Sequence, residues 1–471
     1  MLKRSIMDDL VAWKSRPHHP LVLSGLRQTG KTYIVGEFGR RNYESVVYLD
    51  LRANHKVHGA FDGNFDVGQM VLSISAATPG ARFVPHKTLL ILDEIQDCPN
   101  ARSSLKYWDL DGRYDVVATG SFLGVKGFRE ACPRGIPVGY EEQLAMHPLT
   151  FREFLVANGV GEDVFEHVRA SIDEGMPVLK TVHESLRSLY LQYLIVGGMP
   201  EAVSQFLVTR DVNATRNVQR RILTSIRDDF GRRKGPDGKD RVNGVLKLRA
   251  EACLDSLPAQ LAKEYKKFQF SLVEARGKST EKADGLQYLI DVGLAVRACN
   301  LREISAPLEG AKIPSEFKVF YADTGLIMSQ LEPGTAARVL TGDLSAYKGA
   351  VAENMVASAL ASNEVDLYYY HAPSGSPELD FVFSYRGEPT IVECKSTNNR
   401  ATSMKYVLSK PAKFGVHPAI KLADTNVGAG EGFVTLPLYA LGFLDFKPKI
   451  PLVPPVVVPT IEGTSAGMPA E

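Results

Sequence analysis

The stretch that most constrains the fold is LVLSGLRQTGKT, which runs from Leu21 to Thr32. Its first four residues are mostly apolar and predict a short buried strand. Gly25 is then separated by four residues from Gly30, and Lys31 and Thr32 follow, which fits the phosphate-binding loop pattern G-x-x-x-x-G-K-[ST]. Such a loop points successive backbone N–H groups inward as an anion nest, which the N-terminus of the next helix reinforces. The sequence therefore predicts a parallel α/β core that binds nucleotide phosphates.

Each part of this loop has a predicted role. Lys31 is expected to reach the β- and γ-phosphates of ATP, and the Thr32 hydroxyl is expected to coordinate Mg²⁺. A chance glycine-rich turn is the alternative, but the preceding strand and a predicted helix from Tyr33 to Arg41 favour the phosphate site. The predicted nucleotide-binding residues of the loop are Gly25, Leu26, Arg27, Gln28, Thr29, Gly30, Lys31 and Thr32.

A second predicted strand, TLLILDEIQ from Thr88 to Gln96, ends in two carboxylates. Its apolar run is too short for a helix and predicts a strand buried on both faces. Ligands of open α/β sheets bind at the carboxyl ends of the strands, so Asp93 is predicted to hold Mg²⁺ through water. Glu94 is predicted to polarise the attacking water as a catalytic residue, together with Lys31. A core strand ending in a solvated turn is the alternative, which the complete phosphate loop disfavours.

A third strand, from Asp115 to Ala118, is followed by Thr119 and Ser121. A hydroxyl at this strand tip would sense the γ-phosphate, or the segment is a turn before a loop; the sequence leaves both interpretations open. The next segment carries Arg129 and Arg134. Either arginine would act as a finger on the ATP of a neighbouring subunit, which would require a homo-oligomer, or both are solvated.

Length and composition exclude several other classes of protein. A chain of 471 residues is too long for one core and predicts about three domains. A formal net charge of +1 provides no global field for nucleic acid or membranes, so any such site must be a local patch. Five scattered cysteines without a C-x-x-C pair argue against disulfides and zinc. Without a signal peptide or an apolar run long enough for a membrane span, we expect a cytoplasmic protein with no membrane partner.

Several motifs together resemble a known family. They are GLRQTGKT, LLILDEIQ, ATGS, HPLTFREFL, YLIVGGMPEAV, FKVFYADTGLI and YKGAVAENMV. In this order they resemble the prokaryotic AAA-type ATPases that carry a C-terminal domain of unknown function. The resemblance runs from about Leu2 to Phe446 and implies an ATPase with a helical lid after the core. One departure is Tyr140 after Gly139, where the family tends to have Gly-Arg, so an arginine role there is not implied.

These observations predict the fold class and the domain limits. The fold class is α/β, with a parallel-sheet P-loop NTPase core, a helical lid, a winged-helix region and a C-terminal α/β nuclease-like domain. The predicted limits are 1–150 for the AAA-type core, 151–240 for the lid and linker, 241–335 for the winged-helix-like region, 336–447 for the restriction-endonuclease-like domain, and 448–471 for a disordered tail.

The pattern between the lid and the C-terminal domain fits a winged helix. Three helices are predicted, at Val245–Leu254, Leu257–Tyr265 and Ser279–Leu294, before the strand AVRACNL. In such modules the last helix can enter the DNA major groove, and positive charge near its start comes from Arg276, Lys278 and Lys282. A structural domain that mediates protein contacts fits the pattern equally well.

A second chemical centre is predicted on a hairpin near the C-terminus. Asp380, followed by Glu393 and Lys395 in the sequence E-C-K, resembles the catalytic signature of restriction-endonuclease-like nucleases. Glu393 and Lys395 are two apart on a strand and therefore share a face. Asp380 can join them from the adjoining strand, and Glu353 can approach from a preceding helix. The acids would hold Mg²⁺ and Lys395 would orient water. A solvated acidic hairpin with an incidental lysine is the alternative.

Two functional hypotheses follow. In the first, the chain uses ATP and Mg²⁺ to drive a nucleic-acid-related activity of the nuclease-like domain, with DNA or RNA as the partner. In the second, it is an ATP-dependent switch that binds a protein partner through a nuclease fold that no longer cuts. The intact Asp380, Glu393 and Lys395 favour the first hypothesis, and the near-neutral net charge favours the second.

Overall fold

The computed structural model describes residues 2–121, 138–234, 240–274, 278–343, 345, 347, 349–395 and 401–446. Arg129, Arg134, Arg276 and the predicted tail lie outside the described residues. The helices are α1 (Ile6–Lys14), α2 (Lys31–Asn42), α3 (Val67–Ala77), α4 (Pro99–Ser103), α5 (Leu105–Asp111), α6 (Phe151–Ala157), α7 (Glu162–Glu174), α8 (Lys180–Val196), α9 (Pro200–Thr209), α10 (Val212–Asp228), α11 (Gly244–Leu261), α12 (Ser279–Asp291), α13 (Leu308–Ala311), α14 (Thr324–Gln330), α15 (Pro333–Leu340), α16 (Ala350–Ser362), α17 (Thr402–Leu408) and α18 (Pro411–Phe414). None of these helices is both long and apolar enough to cross a bilayer.

The N-terminal part is built on a parallel sheet. Its strands are β1 (Leu21–Ser24), β2 (Ser45–Asp50), β3 (Thr88–Asp93), β4 (Asp115–Thr119) and β5 (Glu142–Ala145). They lie in the order β2-β3-β4-β1-β5, and every neighbouring pair is parallel. The sheet is buried on both faces, with α1 and α2 packed on one face and α3 and α5 on the other. The predicted parallel-sheet core is therefore confirmed.

The second sheet spans two of the predicted domains. Its strands are β8 (Ala295–Leu301), β9 (Lys312–Tyr321), β10 (Tyr368–His371), β11 (Glu378–Tyr385), β12 (Glu388–Lys395), β13 (Ala419–Ala423), β14 (Gly428–Gly430) and β15 (Phe433–Pro437). They lie in the order β14-β15-β13-β12-β11-β10-β8-β9. Because β8 pairs with both β9 and β10, the sheet crosses the predicted boundary between residues 335 and 336. A small hairpin of β6 (Arg232–Lys234) and β7 (Asp240–Val242) lies apart from both sheets.

The helical region joins the two sheets. Helices α6 to α10 share one continuous apolar core with α11, α12, α16 and one face of the second sheet. Polar contacts reinforce this packing: Arg187 of α8 pairs with Asp424 at 2.5 Å, beyond the end of β13. At its other end the region reaches the phosphate loop, because Leu26 belongs to the same core. The segment predicted as a lid thus bridges the phosphate loop and the C-terminal sheet.

Helix α11 is continuous where the sequence predicts two helices. Pro258 lies inside it, and a proline leaves the carbonyl of residue i−4 without its helical donor. That carbonyl belongs to Leu254, and it accepts a hydrogen bond of 3.1 Å from the Tyr321 hydroxyl. A side chain from β9 thus replaces the missing backbone donor, which local sequence does not reveal.

The winged-helix prediction is not confirmed. The region does contain α11, α12 and the antiparallel pair β8 and β9, but the two strands are part of the larger sheet. Lys282 of α12 donates to the carbonyl oxygens of Phe270 and Val273, at 3.2 and 2.7 Å. Its ammonium therefore holds the preceding turn.

Candidate functional site

The phosphate loop forms a tight turn from β1 into α2. Gly25 and Gly30 have φ angles of 138° and 94°, in the region that favours glycine. A Cβ on Gly25 would overlap the carbonyl oxygen of Met146, so only glycine fits beside β5 at this point. Helix α2 begins at Lys31, directly after Gly30. The loop geometry therefore places the N-terminus of a helix against the predicted phosphate position.

Lys31 is buried within this loop. Its ammonium donates to the carbonyl oxygens of Gly25 and Leu26, at 2.9 and 3.0 Å. Burial lowers the pKa of Lys31 to about 8, although the nearby carboxylates of Glu94 and Asp93 oppose this effect. An anion beside the ammonium would raise this pKa again. The lysine is thus held by loop carbonyls, and phosphate oxygens would be stronger partners for its charge.

Thr32 and Asp93 meet at the carboxyl edge of the sheet. The Thr32 hydroxyl lies 3.0 Å from one carboxylate oxygen of Asp93 and 3.2 Å from the other. The two side chains predicted to hold Mg²⁺, Thr32 directly and Asp93 through water, are thus in direct contact in this structure. Their metal-binding roles stay predictions.

Two further hydroxyls orient Asp93. Thr119, at the end of the intervening strand β4, donates to Oδ1 of Asp93. Tyr48 of β2 donates to Oδ2 at 2.7 Å. Thr119 therefore positions the acid in this structure, and the predicted γ-phosphate contact stays a prediction. Sequence reasoning missed Tyr48, since nothing in the strand SVVYLD distinguishes it from an exposed strand tyrosine.

Glu94 directly follows Asp93 and has an unusual backbone conformation. Its φ of 52° and ψ of 47° place a non-glycine residue in the left-handed region, which is sparsely populated and concentrates at functional sites. Gln96 donates to its carboxylate, and Arg52 lies 4.0 Å from it. Arg52 in turn pairs with Asp97 at 2.8 Å. The carboxylate is thus held at the same edge as Lys31, where it can act on water.

Arg4 is a second residue that the sequence did not reveal. Its guanidinium donates to the carbonyl oxygens of Thr29 and His147, at 3.0 and 2.6 Å, and to Glu153 at 3.1 Å. Glu153 also completes a capping box with Thr150 at the start of α6. Arg4 thus fixes the phosphate loop to the helical region.

Arg27 makes a further connection between the loop and the helical region. It pairs with Asp229, which follows α10 and is only 2% exposed. Asp229 also pairs with Arg232 of β6 at 2.9 Å. Burial, together with Arg52 and Arg232, lowers the pKa of Arg27. Gln28 adds a hydrogen bond of 3.2 Å to Ser225 of α10.

Ser121 does not join the residues around Asp93. It is buried and lines a small recess with Leu26, Arg27 and Phe230. The predicted role of Ser121 in sensing the γ-phosphate has no polar partner to support it among the described residues and stays a prediction.

The C-terminal hairpin brings Glu393 and Lys395 together as the sequence predicts. Strands β11 and β12 pair in antiparallel register from Phe381 with Val392, and the Lys395 ammonium lies 2.7 Å from Glu393. Asp380 accepts a hydrogen bond of 2.8 Å from the backbone N–H of Cys394. The register between β10 and β11 shifts by one residue at this point, and bulges of this kind redirect a side chain.

Glu353 approaches from α16 and is paired with a lysine that the sequence did not indicate. Lys266 donates to its Oε1 at 2.5 Å, and both side chains are more than nine-tenths buried. Burial raises the pKa of Glu353, and Asp380 adds to this effect. Nearby, the buried Lys318 of β9 pairs with Glu378 at 2.7 Å. The pair of Lys266 and Glu353 joins the predicted winged-helix-like region to the predicted nuclease-like domain.

The C-terminal carboxylates do not fit a metal ion in this arrangement. Among the described residues, no group of three or more His, Cys, Asp or Glu side chains is placed to hold one. Lys266 and Lys395 occupy oxygens of Glu353 and Glu393, respectively. The predicted metal-binding roles of Glu353, Asp380 and Glu393 therefore stay predictions.

Comparison with known families identifies the N-terminal part. Residues 17–155 match the profile of an AAA domain. This part is an AAA-type domain with a phosphate-binding loop. Residues 187–335 and 348–441 match two domains of unknown function, DUF8612 and DUF4143. The resemblance read from the sequence motifs is thus confirmed for the ATPase domain, whereas a restriction-endonuclease-like domain is not shown.

Two solved structures show a distant likeness to this chain. A Walker-type ATPase of Pyrococcus abyssi is 13% identical with a TM-score of 0.41, covering 70% of this chain and 96% of the other. The ORC2 protein of Aeropyrum pernix, in ADPNP and ADP complexes, is 12% identical with a TM-score of 0.31, covering 74% and 92%. At TM-scores below 0.5 neither likeness carries weight about function. No curated protein matches the chain.

Proposed function

We propose that this protein is a Mg²⁺-dependent ATP hydrolase whose nucleotide state controls a nucleic-acid-related activity of its C-terminal sheet. The observation that carries the ATPase part is the meeting of Lys31, Thr32 and Asp93 at the carboxyl edge of a parallel sheet. The AAA domain match of residues 17–155 supports it.

Each residue of the site has a separate role in ATP hydrolysis. Backbone N–H groups of the phosphate loop and the Lys31 ammonium bind the phosphates and stabilise the charge that develops on them. Thr32 and Asp93 would hold Mg²⁺, which would neutralise phosphate charge. Glu94 accepts a proton from the attacking water as general base. Thr119 and Tyr48 keep the Asp93 carboxylate aimed at the same edge.

The helical region gives the ATPase a route to the C-terminal sheet. Arg27 and Gln28 of the phosphate loop contact the end of α10, and the core of that region continues into the second sheet. A change at the phosphate loop would therefore reach the elements that carry Glu353 and its neighbours through this shared core. Asp380, Glu393 and Lys395 are the residues that we propose for phosphodiester chemistry there.

ATP turnover and nucleic-acid nicking, measured on the same samples, test this function. The protein is assayed with Mg²⁺ or Mn²⁺, with and without ATP, on single-stranded DNA, duplex DNA and RNA. We expect ATP turnover that Lys31→Ala abolishes, and nicking that Asp380→Asn and Lys395→Ala abolish while turnover continues. No turnover in the parent protein under any of these conditions would refute the ATPase.

The pairing of lysines with the C-terminal carboxylates favours a second candidate function. In it the chain is an ATP-dependent switch that binds a protein partner through an inactive nuclease fold. Turnover without nicking of any nucleic acid, at any metal concentration tested, would support the switch over the nuclease.

A further inference from the structure

Glu353 is a buried carboxylate with one satisfied oxygen. It is 7% exposed, and its Oε1 accepts from Lys266 at 2.5 Å. Its Oε2 has no hydrogen-bond partner among the described residues, although it too is buried. Buried polar atoms are nearly always paired with protein, water or an ion. The free oxygen beside Lys266 therefore marks a position that a cation or a water molecule would satisfy.

The charges around Glu353 are already balanced. Four carboxylates face four ammonium groups here, namely Glu353, Glu378, Asp380 and Glu393 with Lys266, Lys318, Lys395 and Lys421. A divalent ion added to this balanced set would meet an ammonium within contact distance of the same carboxylate. Like charges so close in a buried site repel strongly. Metal binding therefore requires that one lysine leave.

Lys266 is the lysine whose backbone is free of the sheet. Lys318, Lys395 and Lys421 belong to β9, β12 and β13, so the backbone of each is fixed by strand pairing. Lys266 instead lies in the irregular connection from α11 to the turn at Phe270–Leu272. The nearest backbone bond from this connection to the sheet is that of the Phe268 N–H to Phe317 of β9, so both the backbone and the side chain of Lys266 can move without loss of a strand pair.

We infer that Lys266 occupies the cation position beside Glu353, so that Lys266 and a divalent metal ion bind this carboxylate in mutually exclusive states. The inference rests on the proposed function of the C-terminal site, because it takes Glu353, Asp380 and Glu393 as the metal ligands. It explains why those acids do not present a metal site in this structure. The site is closed by a residue from outside the predicted nuclease-like domain.

Manganese binding to the full chain, followed by electron paramagnetic resonance, tests the inference. Lys266→Met should raise Mn²⁺ affinity by at least about tenfold, since it removes a like charge beside the ion. Lys267→Met is the matched control, because Lys267 pairs with Glu316 on a half-exposed surface and should leave affinity unchanged. Adding Glu353→Gln to Lys266→Met should remove the gain. Any Mn²⁺ bound at Asp93 would be common to all variants and would cancel in the comparison.

The outcomes separate the inference from the proposed function. If the parent and Lys266→Met bind Mn²⁺ with equal affinity and Asp380→Asn loses this binding, Lys266 does not exclude the metal ion. The metal site itself would then be supported. Absence of Mn²⁺ binding at this site in every variant would overturn both.

Amine labelling of the parent protein keeps the inference testable if Lys266→Met does not fold. Acetylation read by mass spectrometry should increase at Lys266 as Mn²⁺ is titrated, because the displaced ammonium becomes accessible. Lys318, which is 1% exposed and paired with Glu378, should stay protected. Protection of Lys266 that does not change at any Mn²⁺ concentration would overturn the inference.

Discussion

At the scale of single residues, a substitution at Glu94 best distinguishes ATP binding from ATP hydrolysis. Glu94→Gln keeps the size of the side chain and its hydrogen bonding but cannot accept a proton. General bases contribute about 10²- to 10⁴-fold, so turnover should fall by that amount while ATP still binds. Single-turnover hydrolysis and a fluorescent-nucleotide titration measure the two effects. Glu44→Gln, before β2 at the opposite edge of the sheet, is the matched control. Unchanged turnover would exclude Glu94 as the base.

Asp323 is a buried residue whose titration affects stability. Its carboxylate caps α14 and accepts from the backbone N–H groups of Gly198 and Leu326, at 2.5 and 3.0 Å. Burial nevertheless raises its pKa to about 6. An unfolded aspartate has a pKa of about 3.9, so the folded state binds the proton more tightly. The contribution of Asp323 to stability is therefore largest at low pH and is lost as pH rises through about 6.

Comparison with Asp323→Asn isolates this effect. Between pH 5 and pH 7.5 the free energy of unfolding of the parent should fall by about 1.4 kcal/mol relative to the variant. Denaturant unfolding of both proteins, monitored at Tyr and Trp fluorescence, measures the difference, in which other titrating groups cancel. A difference that is constant across this pH range would show that Asp323 does not titrate there.

Sequence motifs predicted which residues close together in sequence would lie near one another, but not the contacts between residues that are distant in sequence. Gly25, Lys31, Thr32 and Asp93 lie where a strand, a loop and a helix fix them, so a short motif suffices. Lys266 and Glu353 are 87 residues apart, and neither belongs to a sequence motif that indicates the other as its partner. Such pairs arise from tertiary packing, which spacing along the chain does not encode.

At the scale of elements, strand limits were more predictable than the connections between sheets. The limits of β1, β2 and β11 agree with the sequence prediction, because their apolar runs are bounded by proline, glycine or polar residues. Neither the pairing of β8 with β10 nor the continuity of α11 was predictable. Both depend on residues distant in sequence, such as Tyr321 beside the helix that contains Pro258.

The junction of α10 with β6 predicts how elements respond to nucleotide. Asp229 ties Arg27 of the phosphate loop to Arg232, and α11 starts soon after this hairpin. In the Glu94→Gln background, ATP should change amide hydrogen exchange both in the loop and at the start of α11. Asp229→Asn should remove the second change and keep the first. The exposed neighbour Asp228 provides the control, Asp228→Asn, which should behave as the background. Loss of both changes in Asp229→Asn would mean that Asp229 acts in ATP binding itself.

At the scale of the whole molecule, α11 runs from the neighbourhood of the phosphate loop to that of the proposed C-terminal site. The helix begins near the residues that contact the phosphate loop and ends shortly before Lys266. Its 18 residues span about 27 Å at 1.5 Å per residue. We expect a shift of its first turn to be transmitted along the helix, which Tyr321 supports at the Pro258 position, to the segment that holds Lys266 against Glu353.

This geometry predicts that ATP binding releases Lys266. In Glu94→Gln, where ATP stays bound, saturating Mg²⁺ and ATP should increase acetylation of Lys266 by about tenfold, which corresponds to about 1.4 kcal/mol of coupling. The physical reason is that α11 is one continuous helix, which would transmit a movement of Asp229 to the connection after its C-terminus. Lys31→Ala with the same Mg²⁺ and ATP controls for direct effects of the metal, and Asp229→Asn in the Glu94→Gln background should abolish the increase. If Lys266 stays equally protected with and without bound ATP, the nucleotide does not control the C-terminal site through this helix.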